Sequence, residues 1–133
     1  MTSRASYLGP DQARRLEHFA TSVDIMFPEN IGIIHVGSSI ERANYRDVDV
    51  RVVMGNKNLR RLATAVNLLD LNMLLSGWGR TVTGLPIDCQ VQSLSESATH
   101  EGTREGLTGM ARYRLPIDAA IDGDHPHVSV GEQ

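Results

Sequence analysis

Ile31-Gly32-Ile33-Ile34-His35-Val36-Gly37-Ser38-Ser39 and, after a short spacer, Asp47-Val48-Asp49-Val50-Arg51-Val52-Val53-Met54 are the residues whose reading decides the fold. The first run is short, apolar and β-branched, as expected of a buried central strand, and Gly37-Ser38-Ser39 ends it. Residues 40 to 43 have room for one helical turn before Asn44-Tyr45-Arg46. The second run alternates polar and apolar residues, which predicts a strand starting at Asp47. Asp47, Asp49 and Arg51 then share one face, and Val48, Val50 and Val52 take the other.

Working outward, Ala13, Leu16, Ala20, Val23 and Phe27 fall at helical spacing, with Gly9 and Pro10 as N-cap and first helical residue. A helix over 10 to 27 is therefore predicted, broken by Pro28-Glu29-Asn30. Downstream, Leu59, Leu62, Val66, Leu69 and Met73 predict one long helix over 57 to 76, with Gly77 as its C-cap. A short strand at Thr81 to Thr83 is expected after the turn Trp78-Gly79-Arg80. Ile87-Asp88-Cys89-Gln90-Val91-Gln92 alternates again, so Asp88, Gln90 and Gln92 share a face. Met110 to Ile121 offers one more packed element, and residues 122 to 133 are expected to form a mobile tail. The fold class that follows is α/β (α+β): a small mixed sheet packed on one side by helices, in a single domain over residues 1 to 121.

Composition narrows the function classes. The 133 residues are 41% hydrophobic and 22% charged, which is the balance of a packed globular domain. No apolar stretch is long enough to cross a bilayer, and the N-terminus has no secretory core, so a cytoplasmic protein without a membrane partner is expected. Cys89 is the single cysteine, which rules out an intrachain disulfide and a cysteine-based zinc site. Net charge is −3, and Lys57 is the only lysine beside many arginines. Long nucleic acid is disfavoured, because phosphate neutralisation needs a basic excess.

Side chains at i and i+2 of a strand stand about 6.5 Å apart on one face, a spacing that suits carboxylates sharing metal ions. Asp47 and Asp49 have that relation, and Asp88 on a neighbouring strand completes a negative cup. Hard oxygen ligands favour Mg2+ or Mn2+, and such a cup suits two ions. Ahead of it, a strand ending in Gly37-Ser38 and turning into a helix start leaves N–H groups facing outward. The glycine lets a phosphate approach, and the Ser38 and Ser39 hydroxyls add donors. Arg42 and Arg46 add charge for a leaving pyrophosphate.

In order and type, Val36-Gly37-Ser38, then Asp47-Val48-Asp49-Val50, then Ile87-Asp88-Cys89 resemble the DNA polymerase β-type nucleotidyltransferase superfamily. The resemblance spans residues 30 to 92. It implies a nucleotidyltransferase-like fold in which Asp47 and Asp49 coordinate both metals, Asp88 helps activate an acceptor hydroxyl, and Gly37 and Ser38 contact the phosphates of an NTP. The eight residues 39 to 46 make a spacer shorter than the usual family range, which puts the phosphate loop and turnover in question. With no large appended domain, the chain is most similar to minimal members. These include antitoxin-like enzymes that attach AMP to a protein partner and, more distantly, small nucleotidyltransferase-like proteins of actinobacterial phages.

Two functions follow. The first is a metal-dependent nucleotidyltransferase that moves a nucleoside monophosphate from an NTP to a hydroxyl of a protein, an RNA end or a small molecule, releasing pyrophosphate. Homo- or hetero-oligomerisation is expected, since so small a domain has little surface to hold an acceptor. The alternative is a catalytically inactive module of the same fold that binds a nucleotide or a partner protein. Asp47 and Asp49 alone would read as one solvated strand face; the upstream turn and Asp88 set them apart. His35 reads as a hydrogen-bonded strand residue that either sits in the interior or faces the site. Cys89 reads as an inert core thiol, and Trp78 as core packing or a base-stacking ring. The Asp122, Asp124, His125 and His127 cluster lies in the expected tail and receives no role.

Overall fold

Gly9 and Pro10 open the first helix, α1 (Pro10–Met26), in a computed structural model whose described residues are 6 to 99 and 102 to 108. The Gly9 N–H donates to Gln12 Oε1 at 2.7 Å, and the proline occupies a position where no N–H is needed. Leu16, Phe19, Ala20 and Val23 form the buried stripe. After Pro28 the chain enters β1 (Asn30–Val36), crosses α2 (Ser38–Glu41), and returns as β2 (Val48–Met54). Then come α3 (Asn56–Ala65), α4 (Leu68–Thr83), β3 (Ile87–Ser93), α5 (Leu94–Ala98) and the two-residue β4 (Glu105–Gly106).

The strands form a mixed sheet in the order β3-β2-β1-β4. β1 runs antiparallel to β2 and to β4, while β2 and β3 are parallel, their connection carrying α3 and α4. The expected fold class, a small mixed sheet packed by helices, is the observed one. Alternation along β2 sorts its side chains as expected. Val48, Val50 and Val52 join Phe19, Val23, Ile33, Leu75, Ile87 and Cys89 in the main core beneath α1 and α4. Each such buried side chain contributes about 1.5–3 kcal/mol. The opposite face carries a smaller apolar cluster of Ile34, Val36, Val53 and Leu94, and beside it the polar side chains of the site. Ile31 reaches this second cluster because a register shift between Asn30 and Gly32 resets the alternation.

Two expectations change between residues 57 and 84. The single long helix is two helices, because Val66 is extended and Asn67 starts α4 as its N-cap, its side chain accepting from Asp70 N at 3.0 Å. The turn rotates the second helix, so Leu75, Ser76, Gly79 and Thr83 face inward, while Leu69 and Met73 stay 75% and 71% exposed. Gly77 is not a C-cap. α4 runs through it, absorbs the expected strand at Thr81 to Thr83 as its last turn, and stops at Gly84, where φ is 73°.

His35 and Cys89 are interior. His35 pairs with Val50 and faces the helix-covered side, away from the site. Burial pushes the Cys89 thiol up to about 12, so it stays protonated. Trp78 packs edge-on against Phe19 with ring centroids 5.2 Å apart. No helix among the described residues is long and apolar enough to cross a membrane. The element expected over Met110 to Ile121 and the tail beyond it lie outside the described residues.

Candidate functional site

Parallel pairing places Asp49 of β2 directly beside Asp88 of β3, on the sheet face opposite α1 and α4. Neighbouring strands lie about 4.8 Å apart, so the two carboxylates crowd each other. Arg51, two residues along β2, shares their face. Its Nη1 donates to the Val50 and Asp88 carbonyls, each at 3.0 Å, and its Nη2 stands 3.9 Å from Asp49 Oδ1 and 3.8 Å from Asp88 Oδ2. The guanidinium is thus anchored by backbone oxygens and faces both acids without a direct hydrogen bond to either. Gln90 Nε2 reaches both Asp88 oxygens at 3.4 Å.

Burial raises the Asp49 carboxyl above its ordinary range; Arg51 pulls it back, and Asp88 and then Asp47 push it further up. The folded state therefore holds this proton more tightly than the unfolded chain. Stability should fall as pH rises from the ordinary aspartate value of 3.8 through the raised one, and the penalty persists above it. Asn at this position carries no such penalty and can donate to Asp88. In metal-free buffer D49N is expected to be more stable than wild type at neutral pH, the two converging in acid once both states are protonated. Denaturant titrations across this range measure the difference. Equal stability at neutral pH would mean that Arg51 already cancels the cost of burial.

Gly37 abuts the same carboxylate. Its φ of 85° and ψ of −159° lie in a region open essentially to glycine alone, and a Cβ there would overlap Asp49 Oδ2. The turn and the acid pair are therefore one structure. Val36, Gly37, Asp49, Arg51, Gln92 and Ser97 line a cleft of about 160 Å³. A wider one of about 500 Å³ is lined by Ser38, Arg42, Asn44, Arg46 and Asp47. On the other side of the acid pair, Asp88 and Gln90 border a third cleft of about 390 Å³ with Leu69, Asn72, Met73, Ser76 and Arg80.

Two expected site residues are placed differently from the sequence reading. Asp47 precedes the first paired residue of β2, is exposed, and opens on the arginine-lined cleft. No ladder bond fixes its side chain on the Asp49 face. Among the described residues no three His, Cys, Asp or Glu side chains gather into one metal-holding group, so the expected cup of three carboxylates is a pair with a neighbour. Ser39 is fully buried. Its hydroxyl meets His35 Nε2, and His35 Nδ1 donates to Glu105 Oε1 at 2.9 Å. The carboxylate can only accept, which places a proton on Nδ1. Ser39 thus ties α2 to β1 and β4 and leaves phosphate contact to Ser38.

Arg51 is the residue that sequence reasoning left without a role, although alternation had put it on the aspartate face. Asp49 and Asp88 are hard oxygen donors in contact range, and their chemistry fits Mg2+ or Mn2+; Asp47 is close enough for its charge to act on Asp49. Comparison with protein-family models, with curated proteins and with solved structures returned no match.

Proposed function

We propose that the chain is a metal-dependent nucleotidyltransferase. The observation that carries the reading is the Asp49–Asp88 pair, locked in register against the Gly37 turn and flanked by one cleft lined by Ser38, Arg42 and Arg46 and another of mixed polar and apolar lining. Arg42, Arg46 and Ser38 suit the phosphates of an NTP, since guanidinium forks match phosphate oxygens. Asp49 and Asp88, joined by Asp47, would hold Mg2+ or Mn2+, two ions in the full complement. Such ions lower the pKa of a bound hydroxyl and offset charge on a transferring phosphoryl group. Asp88, more exposed than Asp49, faces the cleft where an acceptor hydroxyl would enter. The acceptor oxygen would bond to the α-phosphorus as the bond to pyrophosphate breaks, and Asp88 would take the proton that the hydroxyl gives up.

The exposed Leu69 and Met73 on the rim of that cleft favour a protein or small-molecule acceptor over long nucleic acid, which agrees with the net charge of −3. A hetero-oligomer with a protein acceptor fits the same surface.

The test is thermal stability of wild type and of D47N/D49N, with and without Mg2+, across the NTPs. A ligand at a hundred times its Kd adds about 2.7 kcal/mol to folded-state stability. The expected result is a Mg2+-dependent rise with an NTP in wild type alone. Absence of any NTP response would overturn the proposal.

One observation favours a second reading. Arg51 already gives the acid pair a counter-charge, as suits a catalytically inactive module that binds a nucleotide or a partner protein without metal. An NTP response that is undiminished by chelator, and unchanged in D47N/D49N, would favour that module.

A further inference from the structure

We infer that Arg51 is a resident cation of the Asp49–Asp88 pair and sets how tightly the site takes a divalent ion. The inference rests on the metal-dependent reading above and concerns the control of that site. Three features carry it. Arg51 Nη2 faces both carboxylates, at 3.9 Å from Asp49 Oδ1 and 3.8 Å from Asp88 Oδ2. Its Nη1 is held by the Val50 and Asp88 backbone carbonyls and not by the carboxylates. It is also poorly hydrated, its side chain only 15% exposed, so its charge is weakly screened where a divalent ion would sit.

A guanidinium that hydrogen-bonded the carboxylates directly would block the site outright. One held back at these distances leaves carboxylate oxygens free to ligate and opposes an incoming cation through space. The result is a site tuned toward weak binding, filled when a nucleotide brings its own negative charge with the metal. Metal and nucleotide would then enter together, and the acid pair would keep a partial counter-charge in their absence.

The experiment is direct titration of Mn2+, read by electron paramagnetic resonance, into wild type, R51Q, R51M and R51K without nucleotide. R51Q keeps a donor, R51M keeps the aliphatic stem, and R51K keeps the charge. The two neutral variants are expected to bind Mn2+ at least about tenfold more tightly than wild type. R51K should stay near wild type, and adding D49N to either neutral variant should abolish the gain. A merely structural arginine would not separate charge-keeping from neutral variants in this way. Equal Mn2+ affinity in wild type and a folded neutral variant overturns the inference and leaves the proposed function standing. Binding by the neutral variants alone supports the inference, the natural chain then taking its ion only together with nucleotide. No Mn2+ binding by any of the proteins overturns the inference, and the Mg2+-dependent NTP response of the natural chain then decides the proposed function by itself.

Discussion

Gly37→Ala is expected to lower folding stability by about 2–4 kcal/mol and the melting temperature by on the order of 10 °C. Two separable causes add. The first is backbone strain, since the φ of 85° and ψ of −159° suit glycine alone. The second is collision between the new Cβ and Asp49 Oδ2. Asp49 cannot withdraw easily, because β2 is paired on both sides and Asp88 and Arg51 crowd its carboxylate. A double-mutant cycle with D49A separates the two. The collision vanishes in G37A/D49A and the strain stays, so the double variant should recover part of the loss. Strict additivity would show that the turn and the acid do not touch. Differential scanning calorimetry of the four proteins decides it, and G37A should also lose any metal-linked stabilisation.

Phe19→Ala should cost about 3–5 kcal/mol, out of a total that for domains is about 5–15 kcal/mol. Phe19 is fully buried between α1, α4 and β3, with its ring edge-on to Trp78. The site cannot collapse readily onto the cavity. Gly79 is already packed so close that a Cβ there would stand 2.9 Å from both Phe19 Cζ and Ile87 Cγ2. α4 therefore sits as near the sheet as its backbone allows at this point and cannot close over the space. Urea denaturation measures the loss. The acid pair lies on the other face, so folded F19A should match wild type in any metal or nucleotide response that the proposed function predicts, and a difference would show that the two faces are coupled.

Much of this was legible in the sequence for a simple reason: alternation and apolar runs are local. β1 follows from its apolar run, and β2 and β3 from period-two patterning, which also gives the faces of Asp49, Arg51 and Asp88. The break at Val66-Asn67 was hidden because Leu59, Leu62, Val66, Leu69 and Met73 continue one stripe across it. The structure buries a different set from α4, and the available signal was Asn67 followed by Asp70 in the first turn. Gly77 misled for the opposite reason: it is a helical glycine with open space where a Cβ would go. The inward turn of Ser39 was beyond local reading, since it depends on Glu105 meeting His35 across 70 positions of chain. Arg51 was placed correctly but assigned nothing, because its backbone anchors come from strand pairing.

The link from Glu105 through His35 to Ser39 also sets where the chain may be cut. Residues 102 to 108 follow α5, and a trimmed version of the domain could be ended ahead of them. Yet β4 covers the open edge of β1, Leu107 is buried in the main core, and Glu105 supplies the acceptor for a histidine with no exposure to solvent. A version ending at Thr99 would leave that imidazole nitrogen in the interior without its carboxylate partner, next to the turn on which Gly37 and Ser38 depend. In terms of modular architecture, the smallest transplantable unit extends past β4.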